Sequence, residues 1–225
     1  MQNSEIGLHP RGKLKTGQLQ PEPGGRWVSE RGLRVATGET TLARFAALKV
    51  GIFPELDDII PADGSLLLVF RRGQRASADL LQALQMPLTD HEATTAGTLH
   101  EIPVQYGGEA GPDLPLLAQQ AGLGEADYIG AHAAGEYTVA FLGFQPGFPY
   151  LRGLPARLHA PRRATPRVSV PAGSVAIGGT YAGIYPANGP GGWQVIGRTA
   201  VKLFDPLREA PALLLPGDRV RFLPQ

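Results

Sequence analysis

Seven basic side chains and no acidic ones lie between residues 137 and 204, and they are the clearest chemical signal in the sequence. They contribute +7 in a chain of 225 residues whose total is only +1, so the remainder carries −6. Such segregation produces a face that attracts anions. The pI of about 8.1, and the position of these side chains among glycine-rich turns, argue against nucleic acid. We expect a small carboxylate, a phosphoryl group or an acidic partner. The alternative is that single arginines pair with acids of the N-terminal region.

Arginine suits such ligands because its planar guanidinium can hold a carboxylate or phosphate through two parallel hydrogen bonds. We predict Arg162 and Arg198 as catalytic residues, and Arg163 and Arg167 as substrate-binding residues. Prolines stiffen the loop over 157–167 and so limit the entropy lost on binding. His132 is the third predicted catalytic residue, because histidine exchanges protons near neutral pH. A structural role for this histidine is the alternative.

The sequence also excludes several kinds of site. Cysteine is absent, so there is no disulfide, thiolate nucleophile or cysteine-bound zinc. We find no Walker phosphate loop, G-x-G-x-x-G after a strand, G-x-S-x-G or H-E-x-x-H motif. The five histidines are too dispersed to predict a metal site. Apolar runs fall far short of the roughly 20 residues that span a bilayer. We therefore expect a cytoplasmic protein without a membrane or nucleic-acid partner.

The elements that would position these residues indicate an α+β protein. Residues 1–26 are polar and lack an apolar period, so we expect a disordered arm. Residues 27–97 predict a small α/β sandwich domain. Its predicted elements are an irregular strand, a helix, a buried strand and a second helix capped by Ser77, over 27–35, 40–50, 65–70 and 77–85. The polar stretch 89–97 predicts the domain boundary.

Residues 98–225 predict a turn-dense β-barrel. The segment 143–198 contains 11 Gly and 8 Pro in 56 residues, and its interspersed aromatic residues supply the burial that disordered segments lack. Glycines and prolines at strand margins are what many tight corners need. Two helical stretches are predicted over 113–122 and 127–132. The predicted strands are 99–106, 137–142, 167–170, 174–177, 183–185, 193–196 and 219–222.

Four longer segments carry a resemblance to a known family. They are IPVQYGGEAGPDL (102–114), FLGFQPGFPYL (141–151), PRRATPRVSVPAGSVAI (161–177) and YPANGPGGWQVIGRT (185–199). These motifs resemble the family that contains the B subunit of 5-oxoprolinase, the sporulation kinase inhibitor KipI and proteins named allophanate hydrolase subunit 1. The resemblance runs from about Trp27 to the C-terminus.

The resemblance implies a fold and a set of partners. The fold would be a small α/β domain followed by a cyclophilin-like β-barrel. The B subunit of this family works with a homologous C subunit, together with the A subunit, to open 5-oxoproline to glutamate with ATP hydrolysis. The resemblance implies that this chain is inactive without its partner subunits. It also implies that ATP and magnesium bind in the assembled complex, with no cofactor tightly bound to this chain. The alternatives are a KipI-like regulator that inhibits a histidine kinase and a carboxyltransferase part of a biotin-dependent enzyme.

The glycine-rich parts of these motifs predict further ligands. The 143–147 turn lets backbone N–H groups converge on an anion, and the Gly191–Gly192 pair permits a similarly close approach. The alternative is that these glycines only build corners. Gln145 stands where the family has a small polar residue. The substrate-binding residues predicted besides the arginines are Gln145, Gly147, Phe148, Gly191, Gly192 and Trp193.

Overall fold

The computed structural model describes residues 25–88 and 97–225. The first segment forms an antiparallel sheet with two helices, in the strand order β1-β2-β4-β3. Its strands are β1 (Gly25–Trp27), β2 (Gly32–Ala36), β3 (Leu56–Ala62) and β4 (Ser65–Phe70). Its two helices are α1 (Thr41–Val50) and α2 (Ala78–Gln85), and a short 3-10 turn (Gly38–Thr40) precedes α1.

Alternating apolar side chains build the core of this sheet, as the strand period requires. Leu33, Leu66 and Leu68 are fully buried there. The predicted strand 65–70 coincides with β4. Ser77 caps α2 as predicted, because its hydroxyl oxygen accepts a hydrogen bond from the Leu80 N–H at 3.1 Å. The segment predicted as one irregular strand over 27–35 is instead a hairpin of β1 and β2.

The second segment forms a closed barrel of seven strands in the order β10-β7-β6-β13-β5-β12-β9. Only the β13–β5 pair is parallel. The barrel strands are β5 (Leu99–Tyr106), β6 (Tyr137–Leu142), β7 (Pro149–Arg152), β9 (Ser174–Gly178), β10 (Tyr181–Ile184), β12 (Gln194–Arg198) and β13 (Arg219–Pro224). A separate ribbon pairs β8 (Arg167–Val170) with β11 (Gly189–Gly191). The helices are α3 (Leu114–Gln120), α4 (Glu125–Ala133) and a 3-10 turn (Ala156–Leu158).

This architecture confirms a mixed α and β protein with a turn-dense barrel. The cyclophilin-like class of the barrel and the division into two domains stay predictions. The predicted arm 1–26 lies outside the described residues up to 24, and the sheet already begins at Gly25. Most of the predicted boundary, 89–96, also lies outside them. No helix within 25–88 or 97–225 combines the length and the apolarity needed to cross a membrane.

One side chain connects the four-stranded sheet to the barrel. Asp63, in the turn between β3 and β4, accepts hydrogen bonds from the Tyr181 hydroxyl at 2.7 Å and from Arg152 Nη2 at 3.1 Å. Arg152 is therefore one of the seven basic residues that meets an acid of the N-terminal region, as the alternative for single arginines allowed.

Candidate functional site

An aromatic pocket opens on the barrel beside the β8–β11 ribbon. It encloses about 90 Å³ and is lined by one cation, two glycines and five aromatic rings. The lining residues are Phe144, Phe148, Tyr150, Arg162, Tyr185, Gly191, Gly192 and Trp193. The structure thus brings together five of the predicted site residues, namely Phe148, Arg162, Gly191, Gly192 and Trp193.

The aromatic walls are held by edge-to-face contacts. The Phe148 ring lies 5.3 Å from Trp193 at 88° and 5.2 Å from Tyr185 at 86°. Tyr150 meets Trp193 at 5.4 Å and 82°. Such pairs add stabilisation of about 0.5–1.5 kcal/mol each beyond simple burial. The pocket is therefore built from fixed rings before any ligand enters.

The turn between β6 and β7 supplies one rim of the pocket. Phe144 is the one non-glycine residue with a positive φ, 63°, in the described part of the chain, and it is 59% exposed. Strained conformations of this kind persist where the surroundings hold them, and they cluster at functional sites. Gly147 has φ 77° and packs against Phe204, where a Cβ would lie 2.9 Å from Phe204 Cβ. This glycine shapes the turn and does not line the pocket.

Gln145 occupies the interior of the same turn. Its backbone N–H donates to the Gly143 carbonyl at 2.7 Å, and its own carbonyl accepts from Phe148 N at 3.0 Å. Its side-chain Nε2 lies 2.5 Å from where a Cβ on Gly189 would stand. Gln145 therefore packs against the ribbon and lies outside the pocket lining. Two of the turn's N–H groups are used within the turn and are not aimed at a ligand.

Arg162 is the only positively charged residue that lines the pocket. Its guanidinium lies along the Gly192 backbone, since a Cβ there would be 3.5 Å from Nε and from Nη2. Gly191 has to be glycine, because a Cβ would stand 2.3 Å from the Tyr185 hydroxyl oxygen. Burial raises the pKa of Tyr150 and of Tyr185, and the charge of Arg162 opposes that rise. The tyrosines therefore stay neutral donors near neutral pH.

A buried carboxylate that was not among the predicted site residues binds both Arg163 and Arg167. Asp113 is 5% exposed and lies just before α3, at the start of the helical stretch predicted over 113–122. Its side chain makes no cap hydrogen bond and instead pairs with Arg163 and Arg167. Both guanidinium groups already bind the Asp113 carboxylate. A substrate anion would have to compete with this carboxylate for Arg163 and Arg167. Arg163 and Arg167 lie outside the pocket lining.

Arg198 lies in a different groove from Arg162. This groove encloses about 490 Å³ and has no aromatic lining. Arg198 Nε donates to the Ala172 carbonyl at 3.2 Å, and the neighbouring Lys202 pairs with Asp205 at 2.9 Å. The two arginines predicted to act together in catalysis are therefore not in one site.

His132 lies in the barrel core, away from the pocket. It is completely buried, and Tyr137 and Phe222 pack against its ring with centroids at 5.3 Å and 4.7 Å. Its Nδ1 is 2.8 Å from the Tyr106 hydroxyl, while its Nε2 has no hydrogen-bond partner within the described residues. Burial lowers the pKa of His132 to about 3. This placement corresponds to the structural alternative, because no substrate in the pocket can contact the ring.

The positive face is thus smaller than the sequence suggested. Four of its seven basic residues pair with carboxylates, namely Arg152, Arg163, Arg167 and Lys202. Over 25–88 and 97–225, Arg157, Arg162 and Arg198 form no ion pair, and only Arg162 of these lines the aromatic pocket. In the same part of the chain, no three His, Asp or Glu side chains come together as potential metal ligands.

Sequence comparison identifies relatives over most of the chain. Residues 27–214 match the family described as carboxyltransferase domain, subdomain C and D. The chain is 49% identical over 173 residues to the B subunit of 5-oxoprolinase from Escherichia coli O157:H7, covering 76% of this chain and 79% of that protein. It is 55% identical over 123 residues to the B subunit of 5-oxoprolinase from Haemophilus influenzae, covering 55% of this chain and 58% of that protein.

Comparison with solved structures also finds similar proteins over most of the chain. The crystal structure of TTHA0988 superposes with a TM-score of 0.73 and 39% identity over 87% of this chain, which spans only 40% of that protein. PH0987 from Pyrococcus horikoshii superposes with a TM-score of 0.56 and 35% identity, covering 89% of this chain and 97% of that one. The Kluyveromyces lactis urea amidolyase, at 21% identity and a TM-score of 0.63, shares the fold.

Proposed function

The chain belongs to the carboxyltransferase-domain family that includes the 5-oxoprolinase B subunits, and on this basis we propose that it is one component of an ATP-dependent 5-oxoprolinase. In this proposal it works with the A and C subunits to open 5-oxoproline to glutamate. The observation that supports it is the aromatic pocket, in which the guanidinium of Arg162 has no carboxylate partner within the described residues.

The chemistry of the pocket suits a small cyclic carboxylate. 5-Oxoproline has one carboxylate and a compact five-membered lactam ring. The carboxylate can form charge-assisted hydrogen bonds with Arg162, while the apolar ring carbons pack against Phe148 and Trp193. At about 90 Å³ the pocket is well below the size of sites that enclose whole cofactors. It therefore fits the lactam better than a nucleotide.

Lactam opening requires an electrophilic amide carbonyl, and phosphorylation of its oxygen by ATP is one route. The sequence has no Walker motif, and the described residues form no cluster of potential metal ligands. We assign neither ATP nor magnesium a place on this chain. Arg162 would bind and orient the substrate, and its charge would offset the negative charge that develops next to it.

The groove around Arg198 is the part of the basic surface that we assign to association with the partner subunits. It is larger and more open than the aromatic pocket, and Arg198 and Lys202 both reach it. In this proposal Arg198 contacts an acidic surface of one of the two partners. Arg198→Glu should then weaken co-purification with them. Unchanged association of this variant, together with lost turnover, would return Arg198 to the catalytic role predicted from the sequence.

Reconstitution tests the proposed function. The chain is assayed for ATP-dependent formation of glutamate from 5-oxoproline alone, with each partner singly, and with the A and C subunits together. We expect turnover only with both partners, because the chain lacks a recognisable nucleotide motif. Robust turnover by the chain alone would contradict its assignment as one part of a larger enzyme. A folded chain that binds neither partner would favour the kinase-inhibitor alternative.

A further inference from the structure

Asp113 makes several contacts that have no role in the function proposed above. Its two carboxylate oxygens accept four hydrogen bonds. Arg167 contributes two, from Nη1 and Nη2 at 2.8 Å each, and Arg163 Nη1 contributes one at 2.9 Å. The Val195 backbone N–H donates the fourth at 2.7 Å, and the Asp113 N–H returns a bond to the Val195 carbonyl at 3.0 Å. Asp113 therefore joins the arginine loop to β12.

These two attachments flank the aromatic pocket. Arg163 directly follows Arg162, and its N–H donates to the Gly192 carbonyl at 2.7 Å. Val195 lies two residues beyond Trp193 at the start of β12. Asp113 thus holds the Arg163 side chain next to the cation on one side of the pocket and the Val195 backbone next to the indole on the other.

The charges of this cluster support a role beyond stability. Burying a carboxylate is costly, and a buried ion pair often contributes no more stability than apolar residues of similar volume. In this cluster the carboxylate neutralises one of two guanidinium charges, and the bidentate geometry with Arg167 fixes the orientation of the loop. Because Arg163 and Arg167 are held in this way, Arg162 is the guanidinium left to face the pocket.

We propose that Asp113 is a positioning residue that sets the distance between Arg162 and Trp193, and so determines how tightly the pocket binds a small carboxylate substrate. This inference rests on the proposed function of the pocket. It makes Asp113 act through the arginine side chains and the Val195 backbone that it holds, because the carboxylate itself does not line the pocket.

The test uses Asp113→Asn in the complex reconstituted with both partner subunits. Asn keeps the size of the side chain but loses its charge and one strong acceptor. We expect the KM for 5-oxoproline to rise at least tenfold, while the KM for ATP changes less than twofold. Asp113→Glu keeps the charge but displaces it, so the KM for 5-oxoproline should rise for this variant also.

The matched control is Asp218→Asn, which removes another largely buried carboxylate. Asp218 accepts hydrogen bonds from Thr98 N at 3.0 Å and Leu215 N at 2.9 Å, and it does not line the pocket. Its loss should lower the melting temperature but leave the KM for 5-oxoproline unchanged. An equal rise in KM for both variants would mean that Asp113 acts only through stability, which would overturn the inference.

A second readout does not depend on turnover. The chain has two tryptophans, so Trp27→Phe leaves Trp193 as the only one. The tryptophan fluorescence of this chain, measured without its partners, then comes from Trp193 alone. Titration of 5-oxoproline into the chain should change this fluorescence, and Asp113→Asn should weaken the apparent affinity at least tenfold. If Asp113→Asn does not fold, Arg167→Lys, which keeps the charge but loses the bidentate bond, has to show the same loss.

Arg162→Ala separates this inference from the proposed function. If Arg162→Ala abolishes 5-oxoproline binding and Asp113→Asn binds normally, the positioning role is wrong and the pocket assignment stands. If Arg162→Ala also binds normally, the pocket assignment itself fails. Weakened binding in both variants supports the inference.

Discussion

Burial of His132 should make the stability of the protein depend on pH. Burial lowers the pKa of His132 to about 3, whereas an unfolded histidine titrates near 6.5. The folded state therefore disfavours the proton. The stability that comes from keeping the ring neutral is fully present above pH 6.5, and it is lost as the pH falls from about 6.5 towards 3.

The size of the effect follows from proton linkage. One proton taken up on unfolding changes the free energy of unfolding by about 1.4 kcal/mol per pH unit. Between pH 7 and pH 5 the two pKa values give a loss of about 2 kcal/mol from this side chain alone. This window lies largely above the range in which most carboxylates titrate.

Urea unfolding of the wild type and of His132→Gln at pH 7.0, 6.0, 5.5 and 5.0 measures the effect. The glutamine side chain would keep a polar group near the Tyr106 hydroxyl, so the variant should fold, and its free energy of unfolding should change about 2 kcal/mol less than that of the wild type between pH 7 and 5. The control is His159→Gln, because His159 is exposed and lies outside the core. Equal pH dependence in the wild type and in His132→Gln would refute the reasoning.

Three further predictions concern the pocket and the barrel. Gly191→Ala should lower the free energy of unfolding by about 1–3 kcal/mol in urea titrations, because its Cβ would stand 2.3 Å from the Tyr185 hydroxyl oxygen. Phe144→Gly should raise the melting temperature relative to Phe144→Ala, because only glycine relieves the backbone strain at φ 63°. A lower melting temperature for the glycine variant would contradict this. The chain should not accelerate prolyl isomerisation of a model peptide, because a fold does not carry a function with it; acceleration comparable with that of a true cyclophilin would show this expectation to be wrong.

Hydrophobic pattern and turn residues were sufficient to predict much of the fold. The apolar run over 65–70 and the Ser77 cap correspond to β4 and to the start of α2, because both signals are local. No strand was predicted where β3 lies, because Pro61 is atypical of a strand interior; β3 is the edge of its sheet, where proline is tolerated. β7 was missed because it has only four residues and begins with a proline.

The site could be predicted only where its residues lie within continuous motifs. Phe148 and Trp193 were predicted because glycine-rich segments surround them, and Arg162 because it lies in the arginine-rich loop 157–167; all three line the candidate pocket. Asp113 was missed as a partner of the arginines, because it lies 50 residues before Arg163 and the acid-free stretch 137–204 does not contain it. His132 was misjudged because sequence pattern does not show that a histidine is completely buried. The ion pairs of Asp113 and the burial of His132 both depend on the tertiary structure, which local sequence patterns do not show.

The most direct test of the account is the effect of Arg162 on kcat/KM for 5-oxoproline in the complex with both partner subunits. A lost charge-assisted hydrogen bond is worth about 1.5–3 kcal/mol, so Arg162→Ala should lower kcat/KM roughly 10- to 150-fold. Arg162→Lys should recover only part of this, because lysine lacks the bidentate geometry. Arg157→Ala is the matched control, since Arg157 is exposed, lies in the same loop and does not line the pocket. We expect a large loss of kcat/KM for Arg162→Ala and none for Arg157→Ala. A correctly folded Arg162→Ala complex with kcat/KM within twofold of wild type would contradict it.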